Sequence, residues 1–137
     1  MRATFRRDRV APLTIAAIFA ASGITHLLKP SAFDSLMPRA IPEEARRPLI
    51  YASGVAEVAC AAGLARNSKW ARGASAALLV AVFPANVQVA LDAGSGRQAG
   101  AMNKPAAAWG RLPVQAAMIW AATRRSAVDR EQAAPTT

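Results

Sequence analysis

Charge is excluded from four long stretches of this chain, and that pattern constrains its fold more than any motif. Of 17 Lys and Arg and 8 Asp and Glu residues, only Glu57 and Arg111 lie inside the windows 11–28, 48–65, 73–91 and 106–123. Amphipathic helices of a soluble bundle carry charge along one face, recurring every three or four residues. Here whole windows are cleared and the charges gather between them, as hydrocarbon solvent demands. As a helix, each window reaches about 27 Å, close to the roughly 30 Å apolar core of a bilayer. The expected fold class is therefore all-α, an integral membrane four-helix bundle. It forms a single domain over residues 1–137, with tails at 1–10 and 124–137. Mean hydropathy is only +0.18, because the windows are rich in Ala, which is nearly neutral on insertion scales. Small residues also suit close helix packing in lipid. A soluble, Ala-rich helical protein is the competing reading.

The basic excess follows the same segmentation. Residues 1–10 hold four Lys or Arg, the 66–72 connection three and the tail from 124 three, while 29–47 holds four and 92–105 two. Four spans collect the first three segments on one side, so the positive-inside rule places both termini in the cytoplasm. Anionic lipid headgroups are the partners such a distribution implies, and no nucleic acid is expected. One alternative concerns the first window: Arg6, Arg7 and Arg9 ahead of an apolar run, with Ala20, Ala21, Ser22 and Gly23 behind it, also resemble a signal peptide.

Cys60 is the lone cysteine, so no intramolecular disulfide or CxxC relay forms, and a buried thiol acting as a small hydrophobe is expected. Pro12 and Pro48 suit the first position of a helix. Asn67-Ser68 marks a tight turn of about seven residues, 66–72, between antiparallel spans two and three. Pro84 and Pro113 fall inside spans three and four, each leaving a carbonyl without its helical donor. Gln88 and Gln115 are expected to satisfy such carbonyls. In the long connection 29–47, Pro30, Pro38 and Pro42 forbid a continuous helix. Phe33, Leu36, Met37 and Ile41 between them make it too apolar for a freely solvated loop. Either a lid over a cavity or a well-packed connection fits.

The polar residues inside the spans carry the functional signal. With spans one and three running outward, residue counts place His26 about 3 Å below the outer boundary. The same count places Asn86 and Arg111 about 8 Å deep, and Glu57 and Gln115 about 14 Å. Uncompensated Glu or Arg at such depths costs about 2.5–3.5 kcal/mol even on lenient scales. Three arrangements answer that cost: a Glu57–Arg111 salt bridge between spans two and four, a polar cavity open to the outer side, or snorkelling side chains. His26 follows Ser22 by one helical turn, so a local hydrogen bond is its commonest explanation. His26, Glu57, Asn86 and Arg111 are the candidate ligand or proton site. No metal set, phosphate loop, nucleophile motif or haem-attachment motif is present in the sequence, and no catalytic residue is assigned.

The run Gly23-Ile24-Thr25-His26-Leu27-Leu28-Lys29-Pro30, then Phe33, Met37-Pro38 and Ile41-Pro42, resembles the first half of the DoxX family of small bacterial membrane proteins. Tyr51-Ala52-Ser53-Gly54-Val55-Ala56-Glu57 with Gly63-Leu64 is similar to that family's second helix, and Val82-Phe83-Pro84-Ala85-Asn86 to its third. The likeness runs in register from residue 12 to about 123, with His26-Leu27 where many relatives have His-Phe. It implies a four-helix protein of the bacterial cytoplasmic (inner) membrane and a loose association with redox work, including quinone-linked oxidoreduction. Pro38, Pro42, Gly54 and Pro84 match the motifs as structural positions. Two functional classes follow. One is a non-catalytic membrane subunit for a soluble or membrane oxidoreductase partner, its cofactor unknown but with quinone as a candidate. The other is a small transporter or permeation module using Glu57. A purely structural role is a third.

Overall fold

The computed structural model describes residues 2–98 and 100–124, with side chains from Arg9 onward. The described residues are all-helical: α1 spans Arg2–Leu28, α2 Glu43–Ala65, α3 Lys69–Asp92 and α4 Pro105–Thr123. Short 3₁₀ turns at Pro30–Leu36 and Gly100–Asn103 occupy the α1–α2 and α3–α4 connections. Most of the expected tail 124–137 lies outside the described residues.

Among the described residues, three helices are long and apolar enough to cross a membrane: α1 from Arg9, α2 and α3. This is compatible with a membrane protein. The 19-residue α4 holds Arg111, Gln115 and two prolines and does not reach that mark. Leu13, Ile18, Ile24, Val55, Val80 and Val114 are all exposed on the outer helix faces, where a soluble bundle would show its charges.

Each helix overruns its apolar window. Pro12 and Pro48 therefore stand inside α1 and α2 and not at their starts. For α2 the reason is visible. Pro42 is the cap residue, and Glu43 and Glu44 occupy the first turn, where carboxylates favour the positive end of the helix dipole. Pro48 is then still early enough to deprive only a carbonyl at the exposed end of the helix. The turn between α2 and α3 is also tighter than expected. Asn67 adopts a left-handed φ of 57°, Ser68 N–H donates to the Gly63 carbonyl at 2.8 Å and Asn67 N–H to Leu64 at 3.0 Å. That pairing of hydrogen bonds is the Schellman stop, and it lets α3 start at Lys69.

Packing is closest between α1 and α2, where Gly23 and Gly54 bring the two backbones together. A Cβ on Gly23 would stand 2.8 Å from the Gly54 carbonyl oxygen, and one on Gly54 would stand 2.8 Å from His26 Cβ. The main core lies toward the α2–α3 turn, with Ile15, Phe19, Cys60, Leu64, Ala71 and Leu79. Cys60 is free and buried. A smaller cluster of Val89, Ala90 and Ala108 closes the opposite end, with Leu36 and Met102 packed on it.

The connection between α1 and α2 is held down at several points. Arg39 pairs with Asp92, Arg47 with Asp34 at 2.9 Å, and Gln98 Nε2 donates to the Ser35 carbonyl at 3.0 Å. Phe33 lies flat on the His26 ring, centroids 3.6 Å apart. Pro38 and Pro42 stiffen the stretch between these ties. The segment is ordered against the bundle, and its apolar residues roof a cavity described next.

Candidate functional site

His26, Glu57, Asn86 and Arg111 come from α1, α2, α3 and α4 respectively, and all four line one cavity of about 560 Å³. Phe33, Leu36, Met37, Pro38 and Ile41 of the connection form its wall, so the segment covers a cavity as one of its two expected roles required. A second cavity of about 390 Å³ opens between α1 and α4, and it too is lined by Glu57, Asn86 and Arg111. Both volumes fall within the range of about 300–1,000 Å³ typical of small-molecule sites.

At the centre, Glu57 is 7% exposed. Its Oε1 accepts from Ser53 Oγ at 3.4 Å, one helical turn earlier. Its Oε2 lies 3.4 Å from His26 Nδ1, yet accepts no hydrogen bond. The reason is the ring's other commitment. His26 Nδ1 is 2.9 Å from the Ser22 carbonyl oxygen, and a carbonyl only accepts, so Nδ1 carries a proton directed at Ser22. The carboxylate thus faces the imidazole at ion-pair range, away from the N–H direction. The local bond to Ser22 expected for His26 is present.

Ser22 Oγ also approaches His26 Nδ1, at 3.4 Å. This is not a nucleophile–base–acid relay, because serine and carboxylate meet the same ring nitrogen, whereas a triad places them on opposite nitrogens. Among the described residues, no three of His, Cys, Asp and Glu stand together as a metal set.

The expected Glu57–Arg111 salt bridge does not form. Glu57 pairs with His26, while Arg111 Nη1 donates to Met102 Sδ at 3.0 Å. The depth count misplaced the pair because it set all window edges at one level. In fact α2 starts at Glu43, well before its window, and the Gly23–Gly54 crossing brings Glu57 level with His26 near the end of α1. Gln115 reaches a carbonyl of α3, though not the one that Pro84 frees: its Nε2 donates to Leu79 at 2.8 Å, one residue before Val80, whose carbonyl lacks the Pro84 donor, while its Oε1 accepts from Asn86 Nδ2 at 2.8 Å. Gln88 reaches no such carbonyl. It donates to Asp92 Oδ2 at 3.1 Å, one turn on, because that carboxylate is the stronger acceptor within its reach.

Two participants were missed in the sequence. Ser53 stands four residues before Glu57, a spacing that could have flagged it. Phe33 reaches His26 only through the fold of the connection, which no local signal records.

A family model described as a domain of unknown function, DUF8561, matches residues 15–126. No curated protein and no solved structure matches the chain.

Proposed function

The chain belongs to the DUF8561 family, and we propose that it serves as a DoxX-like membrane subunit with four spans and a ligand cavity in the outer half of the bilayer. One observation carries this reading: all four helices send polar residues, among them His26, Glu57, Asn86 and Arg111, to the same cavity. Polar groups in a bilayer are costly to maintain, and their convergence marks a site more often than a joint.

The fourth span rests on α4. Its 19 residues reach about 28 Å, and Trp109 and Trp120 are exposed toward its two ends, where amphipathic rings favour the membrane interfaces. A span needs less hydropathy when Gln115 is buried against α3. With four spans, the basic segments place both termini in the cytoplasm of an inner-membrane protein. A cytoplasm-only reporter fused after Thr137 should be active, and periplasmic activity there would mean an odd number of spans.

The activity fitting this site is binding without chemistry of its own: an amphipathic ligand of quinone size is held while a partner oxidoreductase supplies the redox step. Purifying the full chain in mild detergent and scanning the eluate tests it. A co-eluting oxidoreductase, with or without a quinone or flavin absorbance, is the expected result. A chain that elutes alone and without a chromophore overturns the redox-subunit reading. The second reading, a permeation module, is favoured by the meeting of both cavities at Glu57. Solute-coupled proton flux in proteoliposomes, abolished by Glu57→Gln, would select it.

A further inference from the structure

The cavity between α1 and α4 differs in character from the one under the connection. It is lined by Ile18 and Phe19 of α1, Leu78 and Val82 of α3, and Gly110, Val114 and Met118 of α4. Ile18 and Val114 are exposed, so the cleft meets the bilayer from the side. Gly110 lines it with nothing within 4 Å of where a Cβ would stand, leaving room against the α4 backbone. At its polar end is Arg111. Among the described residues its acceptor is the Met102 thioether, a weak one, and no carboxylate lies within ion-pair distance of it. Glu57, the nearby acid of the cavity, is already turned to His26 and Ser53.

An exposed guanidinium on a membrane-embedded helix, with a thioether for its acceptor and no anion, is an incomplete arrangement. Its planar fork of donors matches a carboxylate in two parallel hydrogen bonds. We propose that this cleft binds a single-chain amphiphile with a carboxylate head, a long-chain fatty acid, admitted laterally from the bilayer. Its carboxylate sits on Arg111, with its chain between α1 and α4. The inference rests on the membrane placement of α4 and deepens the ligand-site reading by naming the ligand class. The oxyanion could also be a phospholipid phosphate reaching Arg111 from the membrane surface. A cleft of about 390 Å³ whose lining reaches Glu57 suits one acyl chain better than the two of a phospholipid.

The test uses the full chain in nanodiscs of phosphatidylcholine with radiolabelled palmitate as the probe. Saturable binding is expected. Arg111→Gln should weaken it about tenfold or more, the scale of one lost charge-assisted pair. Gly110→Leu should abolish it by filling the slot, while the thermal melt stays at or above that of the wild type, as leucine favours the helix more than glycine. Hexadecanol, with the same chain but no charge, should compete about tenfold less well. Equal binding by wild type and Arg111→Gln, unchanged binding in Gly110→Leu, or equal competition by hexadecanol overturns the proposal. Displacement of palmitate by phosphatidylglycerol as effectively as by unlabelled palmitate also overturns it, assigning Arg111 to the phospholipid surface. Failure of the redox-subunit reading is read separately, in the absence of a partner on purification, and leaves palmitate binding unaffected.

Discussion

Gly23→Ala and Gly54→Ala are each expected to lower the melting temperature and folded yield of the detergent-solubilised protein. Gly73→Ala is expected to leave both unchanged or raise them. Alanine favours a helix interior over glycine by about 0.5–1 kcal/mol, so all three substitutions begin with the same gain. The difference lies in what the new methyl meets. On Gly73 it meets nothing within 4 Å. On Gly23 it meets the Gly54 carbonyl oxygen at 2.8 Å and Val58 Cγ2 at 2.9 Å, and on Gly54 it meets His26 Cβ at 2.8 Å and the Gly23 carbonyl oxygen at 3.0 Å. Backbone oxygen cannot rotate away, so relief requires α1 and α2 to separate. Overpacking of this kind costs about 1–3 kcal/mol and exceeds the propensity gain. In lipid the cost is felt fully, because close packing of backbones is itself a main source of helix association. Separation also draws His26 from Glu57, so a ligand bound at the cavity should weaken in parallel. Equal melts for all three variants would show that the α1–α2 contact is looser than this crossing.

The positions of the helices were legible because the rule that writes them is simple: hydrocarbon rejects charge, and 11–28, 48–65 and 73–91 each fall inside a helix long and apolar enough to span a membrane. The window 106–123 also falls in a helix, α4. Helix starts were less legible, since Glu43 and Glu44 extend α2 outward by the local electrostatics of its first turn, which hydropathy does not record. The membership of the site was readable from the same rule. His26, Glu57, Asn86 and Arg111 are four of the polar residues that apolar windows should not contain, and one cavity collects them, while Gln88 and Gln115 lie outside it. Their pairing was not readable. It depends on the relative slide of α1 and α2, set by Gly23 meeting Gly54, and on the path of the connection that lays Phe33 on His26. A one-residue count along each span carries no information about slide between spans.

That slide makes the electrostatic partner of Glu57 a measurable quantity. In double-mutant cycles built from Glu57→Gln, His26→Gln and Arg111→Gln, coupling between Glu57 and His26 is expected at about 1–3 kcal/mol, the upper part of the range for residues in contact. Coupling between Glu57 and Arg111 should fall below about 0.5 kcal/mol, as for groups without shared partners. The 3.4 Å contact to His26 is nearly buried, with the two side chains 12% and 9% exposed, so solvent screens it little. Arg111 is exposed and directed to Met102. Glu57→Gln alone leaves the imidazole without its carboxylate, and His26→Gln alone leaves the carboxylate without the ring beside it; the double variant removes both faults together. Thermal melts in one detergent at fixed pH read all the corners of each cycle. Additivity at His26, or coupling to Arg111 of equal size, would mean that the carboxylate turns toward α4 in the membrane. Arg111 would then carry its own counter-ion and have no need of an acid from the bilayer, so the same cycle bears on whether the α1–α4 cleft takes an anionic head.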